Sequence, residues 1–176
     1  MSAWSARRAG RHGDPHGWNS LDNYLKGHFA HLDRLTEAGE VVRDTLRYGW
    51  PRPTQFLIDG RIVCRDGLFV DVEKRLETNH AARVRTDKVR TLYYSYHAGL
   101  IGEDDRCVFR YDNAHPYLLE GHPDAHHKHR FDHRSWREIE PPEWIGAHRW
   151  PHLDQVISEL LTWWDTQARD LGPNRL

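Results

Sequence analysis

Leu21, Leu25, Leu32, Leu35, Val42 and Leu46, with His28 and Gly39 filling the gaps, step along the chain by three and four. That is the spacing of one helical face, and Asn19 or Ser20 stands where an N-cap is needed. The pattern predicts one long amphipathic helix, or two short ones hinged at Gly39. Its narrow seam suits either a coiled-coil contact with a second copy of the chain or packing on the chain's own sheet. Tyr48-Gly49-Trp50-Pro51-Arg52-Pro53 then predicts a connecting loop, because prolines remove backbone donors and bias the residues before them away from the helical region.

Beyond residue 55 the period changes. Phe56-Leu57-Ile58 and Arg61-Ile62-Val63-Cys64 flank Asp59-Gly60, the mark of a two-residue hairpin or of a tight bend within one strand. Leu68, Val70, Val72 and Leu76 alternate with Phe69, Asp71 and Glu73, as in a strand with one buried face. Further strand-like stretches cover 89–97, 106–112 and 126–131, and the Trp- and Pro-rich connection after Phe131, including Glu140 to Trp144, reads as a surface loop. Leu153, Val156, Ile157, Leu160, Leu161 and Trp164 share one helical face, ended by Gly172-Pro173. Strands in succession without intervening helices imply an antiparallel meander. The expected fold is therefore α+β: four to six antiparallel strands packed with a C-terminal amphipathic helix and an N-terminal helical segment. The expected divisions are a flexible tail over 1–18, a helical extension and loop over 19–54, an α+β domain over 55–171 and a tail over 172–176.

Charge changes this picture little. The 25 Lys and Arg nearly balance 26 Asp and Glu, so no global field points to nucleic acid or a membrane, and any phosphate recognition is local. No apolar run approaches the roughly 20 residues that span a bilayer. Arg7, Arg8 and Arg11 have no apolar stretch after them, unlike a secretory signal, so a cytoplasmic protein is expected. Cys64 and Cys107 lie in strand-like stretches and read as small buried hydrophobes, not as a disulfide framework or a zinc site.

Histidine does change it. Six of the 14 histidines lie between His115 and His133, and four consecutive residues read His126-His127-Lys128-His129. If 126–131 is extended, His127 and His129 share one face and His126 and Lys128 the other. Upstream, Arg110 and Asp112 share a face opposite Phe109 and Tyr111. Metal-free RNA cleavage needs a base for the ribose 2′-hydroxyl, an acid for the departing 5′-oxygen and a cation for the phosphate. His127 and His129 supply the pair, Arg110 the cation, and Asp112 a group to orient either. Lys128, His126 and His97 complete the candidate set, with Lys128 or His97 at the edge of the cleft. Which histidine is acid and which base stays open. The plainer reading is structural, with Arg110 and Asp112 as an ordinary ion pair and the histidines as hydrogen-bonded strand residues. His122, His126, His127 and His129 also suit zinc or manganese, although Pro123 breaks any helix there and no His-Glu-x-x-His sequence occurs. The favoured reading needs no cofactor. Arg83, Arg85, Lys88 and Arg90, followed by Tyr94 and Tyr96, interleave charge with rings as single-stranded RNA requires; the alternative is an exposed strand with its tyrosines in the core.

Taken in order, Asp59-Gly60, Tyr93-Tyr94-Ser95-Tyr96-His97, Phe109-Arg110-Tyr111-Asp112-Asn113-Ala114, a His/Pro-rich spacer and His126-His127-Lys128-His129 resemble the TumE-type toxins of bacterial and archaeal toxin-antitoxin modules, over about residues 55 to 165. The resemblance implies a growth-inhibiting toxin encoded beside a helix-turn-helix antitoxin, and supplies no mechanism. Two classes of action follow: a metal-independent endoribonuclease of a type II module, or a non-catalytic or metal-binding toxin that blocks translation or another target by occupancy. The expected partners are the antitoxin and RNA, with no membrane and with a homodimer through the N-terminal helix as a further option.

Overall fold

The computed structural model describes residues 17–79, 88–114 and 124–168. The tail over 1–16, Arg83 and Arg85, His122 and the Gly172-Pro173 helix stop lie outside these residues.

Helix α1, Leu21–Glu37, begins as its sequence requires, with the Ser20 hydroxyl accepting the Asn23 N–H at 3.2 Å. It stops earlier than its period suggests. Gly39 takes a left-handed φ of 72°, the Glu40 N–H reaches the Leu35 carbonyl and the Gly39 N–H that of Thr36. This is the 6→1 and 5→2 pattern of a glycine C-cap, so Gly39 ends the helix and is no hinge within it. The apolar positions beyond it belong to strands. A two-residue strand β1, Asn19–Ser20, precedes the helix; β2, Val41–Asp44, and β3, Arg47–Arg52, follow it. Pro51 and Pro53, read above as loop markers, accompany β3, which pairs with its neighbour through Arg47, Tyr48 and Gly49 and again at Arg52.

Strand β4, Gln55–Cys64, runs unbroken through Asp59-Gly60, so the pair is a bend within one strand. Gly60 has φ 141°, and a Cβ there would stand 2.6 Å from the Thr45 carbonyl oxygen, where the chain crosses from β2 to β3 along one edge of β4. Then come β5, Leu68–Thr78; β6, Lys88–Leu100; β7, Arg106–Asp112; β8, His127–Phe131; and β9, Glu138–Trp144. The order is β2-β4-β5-β6-β7-β8-β9, with β1 on β6 and β3 on β4, and every pairing is antiparallel. The described residues thus form nine strands, more than the four to six expected. The excess comes from the segments read as helix, as the Tyr48–Pro53 loop and as the 140–144 loop. Prolines 141 and 142 are tolerated because β9 is an edge.

Helix α2, Leu153–Trp163, buries Leu153, Val156, Ile157, Leu160 and Leu161, the face that its period marks. Both helices lie on one side of the sheet over Ile58, Val72, Tyr94, Tyr96, Phe109 and Tyr111. The apolar face of α1 is spent there, through Leu21, Leu32 and Leu35. Among the described residues no helix is long and apolar enough to cross a membrane. Cys64 is buried, Cys107 half-buried, and both are free thiols.

Register at the far end of β6 depends on one glycine. A Cβ on Gly99 would fall 2.2 Å from the Arg106 carbonyl oxygen and 2.9 Å from the Phe69 ring. Because the nearer atom is backbone, Gly99→Ala should destabilise the fold by about 1–3 kcal/mol. A lower denaturant midpoint with an unchanged slope is the expected readout.

Candidate functional site

Antiparallel register decides which polar side chains meet, because directly opposed residues share a face about 5 Å apart. Asp71 opposes both Arg61 and His97, His97 opposes Arg110, and Arg110 opposes His129. One row therefore crosses five strands as Arg61, Asp71, His97, Arg110, His129. A second row on the same face runs Glu73, Ser95, Asp112, His127, Trp144. This is the side of the sheet away from α1 and α2.

The rows are joined by hydrogen bonds. The Arg110 Nε donates to Asp112 Oδ2 at 2.7 Å, the Ala114 N–H to Asp112 Oδ1 at 3.0 Å, and His129 Nε2 lies 3.4 Å from Asp112 Oδ2. The other nitrogen of His129, Nδ1, meets the Glu138 carboxylate of β9. Burial pulls this imidazole's pKa down, but its bonds to Asp112 and Glu138 outweigh burial and hold it above the ordinary histidine value. Burial likewise pushes Asp112 up, and the bonds from His129, Ala114 and Arg110 more than reverse it, keeping the carboxyl ionised far below its usual range. His97 is displaced the other way. Half-buried and close to Arg110 and Arg61, it is held below the ordinary histidine value despite Asp71. Arg61 grips both oxygens of Asp71 at 2.6 and 2.7 Å and Asp105 at 2.6 Å, and its guanidinium carbon lies 4.0 Å from the centre of the Phe69 ring.

His127 sits 6.5 Å from His129 between ring centres and is fully buried. Its Nδ1 lies 2.8 Å from the Ala125 carbonyl oxygen; a carbonyl only accepts, so Nδ1 carries a hydrogen. Asp124 fixes the entry to β8 by accepting from His126 N–H at 3.1 Å, Trp144 Nε1 at 3.0 Å and Ala147 N–H at 2.9 Å.

Four expected residues, Arg110, Asp112, His127 and His129, are thus brought together on β7 and β8, with His97 beside them on β6. The other candidates are not. Lys128 points to the helix side, bonded to Glu159 of α2 and 5.1 Å from the ring centres of Phe109 and Tyr111. His126 also turns that way, with its Nδ1 3.0 Å from the Tyr94 hydroxyl and its ring stacked on Trp150. His126 and the His127–His129 pair therefore face opposite sides of the sheet and do not converge on one ion. Among the described residues no three His, Cys, Asp or Glu side chains group as a metal site. Tyr94 and Tyr96 are enclosed in the core, with Tyr94 stacked on Trp150 at 4.5 Å, and offer no ring face to a base. Lys88 and Arg90 stand exposed at the start of β6, where Arg90 meets Glu77 and lies over the Trp18 ring. Glu138, Arg61 and Asp71 were missed. Only the strand pairing carries the signal for them.

Comparison with known families decides the wider question. The family model described as toxin TumE matches residues 32–168, well over half of the chain. The chain belongs to the TumE toxin family. No curated protein and no solved structure matches it. The TumE match begins inside α1 and takes in β2 and β3, so the strands ahead of residue 55 fall within the family region, and they are hydrogen-bonded to β4 of the same sheet. Membership supports a toxin role. It also includes every site residue named above, from Arg61 to Trp144.

Proposed function

We propose that this toxin is a metal-independent endoribonuclease, acting in the cytoplasm as part of a type II module and held silent by a helix-turn-helix antitoxin. In this reading a phosphodiester sits over Arg110. His97 takes the 2′-hydroxyl proton, the 2′-oxygen attacks phosphorus, and the 5′-oxygen leaves with the Nε2 proton of His129, which turns to it from the longer contact with Asp112 at 3.4 Å. The products are a 2′,3′-cyclic phosphate and a free 5′-hydroxyl. Asp112 and Glu138 hold His129 as imidazolium, and His127 packs beside it.

The observation that carries this reading is the row His97, Arg110, His129, in which the two imidazoles flank a guanidinium and are displaced in opposite directions. Titratable groups pushed apart by their environments are the usual sign of a base and an acid ready at one pH. Two strand spacings, roughly 10 Å between Cα atoms, separate them, which leaves room for a phosphate between the rings. Arg110, about a third exposed, is the cation open to a ligand.

The test is purified protein with RNA in excess chelator. Cleavage leaving cyclic phosphate ends is expected. Loss of cleavage in chelator, with recovery on adding zinc or manganese, contradicts it. One observation favours a second reading, action by occupancy without catalysis: His127 and His129 are 0% and 2% exposed, as purely structural histidines are. Under that reading cells are arrested while RNA stays intact.

A further inference from the structure

On the helix side of the sheet α1 and α2 leave a cavity of about 240 Å³ over strands β4 to β6. Lys74, Tyr24, His28, His31, Tyr96 and His152 line it, and apolar wall comes from Leu32, Ile58, Val72 and Leu153. Lys74 is a buried charge held among aromatic rings. It is 5% exposed, and its ammonium lies 5.1 Å from the ring centres of Tyr24 and Trp150 and 6.0 Å from that of Tyr96. Among the described residues no carboxylate pairs with it. Beside it the fully buried Tyr96 hydroxyl has no hydrogen-bond partner among the described residues. A buried ammonium and a buried phenol without acceptors are each costly, and both face the same space.

The other charges around the cavity are mostly cationic or basic, with one carboxylate among them. His28 and His152 are held below the ordinary histidine value by burial and by the Lys74 charge, and Asp154, which also lines the cavity and whose buried Oδ1 makes no hydrogen bond among the described residues, lies 3.2 Å from His31 and 3.6 Å from Arg34. Burial brings Lys74 down to about 7. Among the described lining residues Lys74, Tyr96, His28, His31 and His152 thus stand against one carboxylate, Asp154, which His31 and Arg34 already face. His31, exposed on α1, stands at its mouth. The volume is below the roughly 300–1,000 Å³ typical of drug-sized ligands, which limits the occupant to metabolite size.

We propose that this cavity binds a small organic anion, a carboxylate or phosphate monoester with a flat or apolar body, its head between the Lys74 ammonium and the Tyr96 hydroxyl and its body along Leu32, Ile58 and Val72. The site lies across the sheet from Arg110 and does not depend on the ribonuclease reading. Bound anion stabilises the protonated forms of Lys74, His28 and His152, so binding takes up protons near pH 7.5 and weakens as pH rises through 7.

Titration calorimetry on the full chain tests this, with benzoate and phenyl phosphate as anionic probes and benzyl alcohol as the neutral isostere. Runs at pH 7.5 in two buffers of different ionisation enthalpy read the proton uptake. The expected result is at least one anion bound about tenfold or more tighter than the alcohol, with proton uptake. Lys74→Met should lose that preference, and His97→Ala across the sheet should keep it. Tyr96→Phe, which removes one oxygen and leaves the packing, should weaken the anion several-fold and serves also if the Lys74 variant fails to fold. Equal binding of alcohol and anions, retention of the preference in Lys74→Met or in a folded Tyr96→Phe, or no binding of either anion at millimolar concentration overturns the proposal.

Discussion

Replacing His97 or His129 by alanine should lower RNA cleavage on the order of 100-fold or more, the usual cost of losing a general base or acid. The double variant should lose less than the product of the two, because the groups act on one transition state. Arg110→Lys should also be costly, since a point charge does not reproduce a planar fork on phosphate, although it preserves the positive charge. Single-turnover rates on a short RNA, with circular dichroism to show an intact fold, are the measurement. His127→Ala belongs in the same series: a loss as large as that of His97→Ala would place the base on β8.

The largest expected effect on stability is at Asp112. Its carboxylate is 2% exposed and bonded to Arg110, His129 and the Ala114 N–H. Asp112→Ala would take a carboxylate partner from both Arg110 and His129, and breaking a buried ionic network from one side typically costs about 3–5 kcal/mol. The pH dependence has a definite sign. Asp112, depressed in the fold, stabilises above the unfolded carboxylate value of about 4, and that contribution is lost as pH falls through its native value. His129, raised in the fold, stabilises below the unfolded value of about 6.5, and its contribution is lost as pH rises through its native value. Unfolding free energy should therefore plateau between about pH 4 and 6.5, as far as this network sets it. Asp112→Ala should flatten both flanks; a variant as stable as the parent, with the same flanks, would show that the network contributes little.

Where local physics decides, the sequence was readable. The α2 face from Leu153 to Leu161, the alternation of β5, the shared face of Arg110 and Asp112 and the shared face of His127 and His129 follow from period alone. Gly39 misled because a three-four period continues across it by coincidence: Val41 is buried and Val42 is 67% exposed, as consecutive strand residues are. The prolines of 48–53 and 140–144 were read as breakers, yet Pro51, Pro141 and Pro142 sit in strands whose outer edges need no ladder donors. The site was half legible for the same reason. Side-chain faces are local, but which strands adjoin is not, so His97 stood only at the margin of the expected cleft, and Glu138 was hidden in a hairpin read as loop. Lys128 and His126 were grouped with the histidines by proximity in sequence, although strand alternation sends them to the helix side.

The pH profile of cleavage in chelator tests the central claim most directly. With His97 as base and His129 as acid, kcat/KM should trace a bell whose acidic limb lies below the ordinary histidine value and whose basic limb lies above it. In the residual activity of His97→Ala the acidic limb should vanish, and in that of His129→Ala the basic limb. A profile that keeps both limbs in both variants, or loses the acidic limb in His129→Ala, would contradict the assignment of base, cation and acid to the row His97, Arg110, His129.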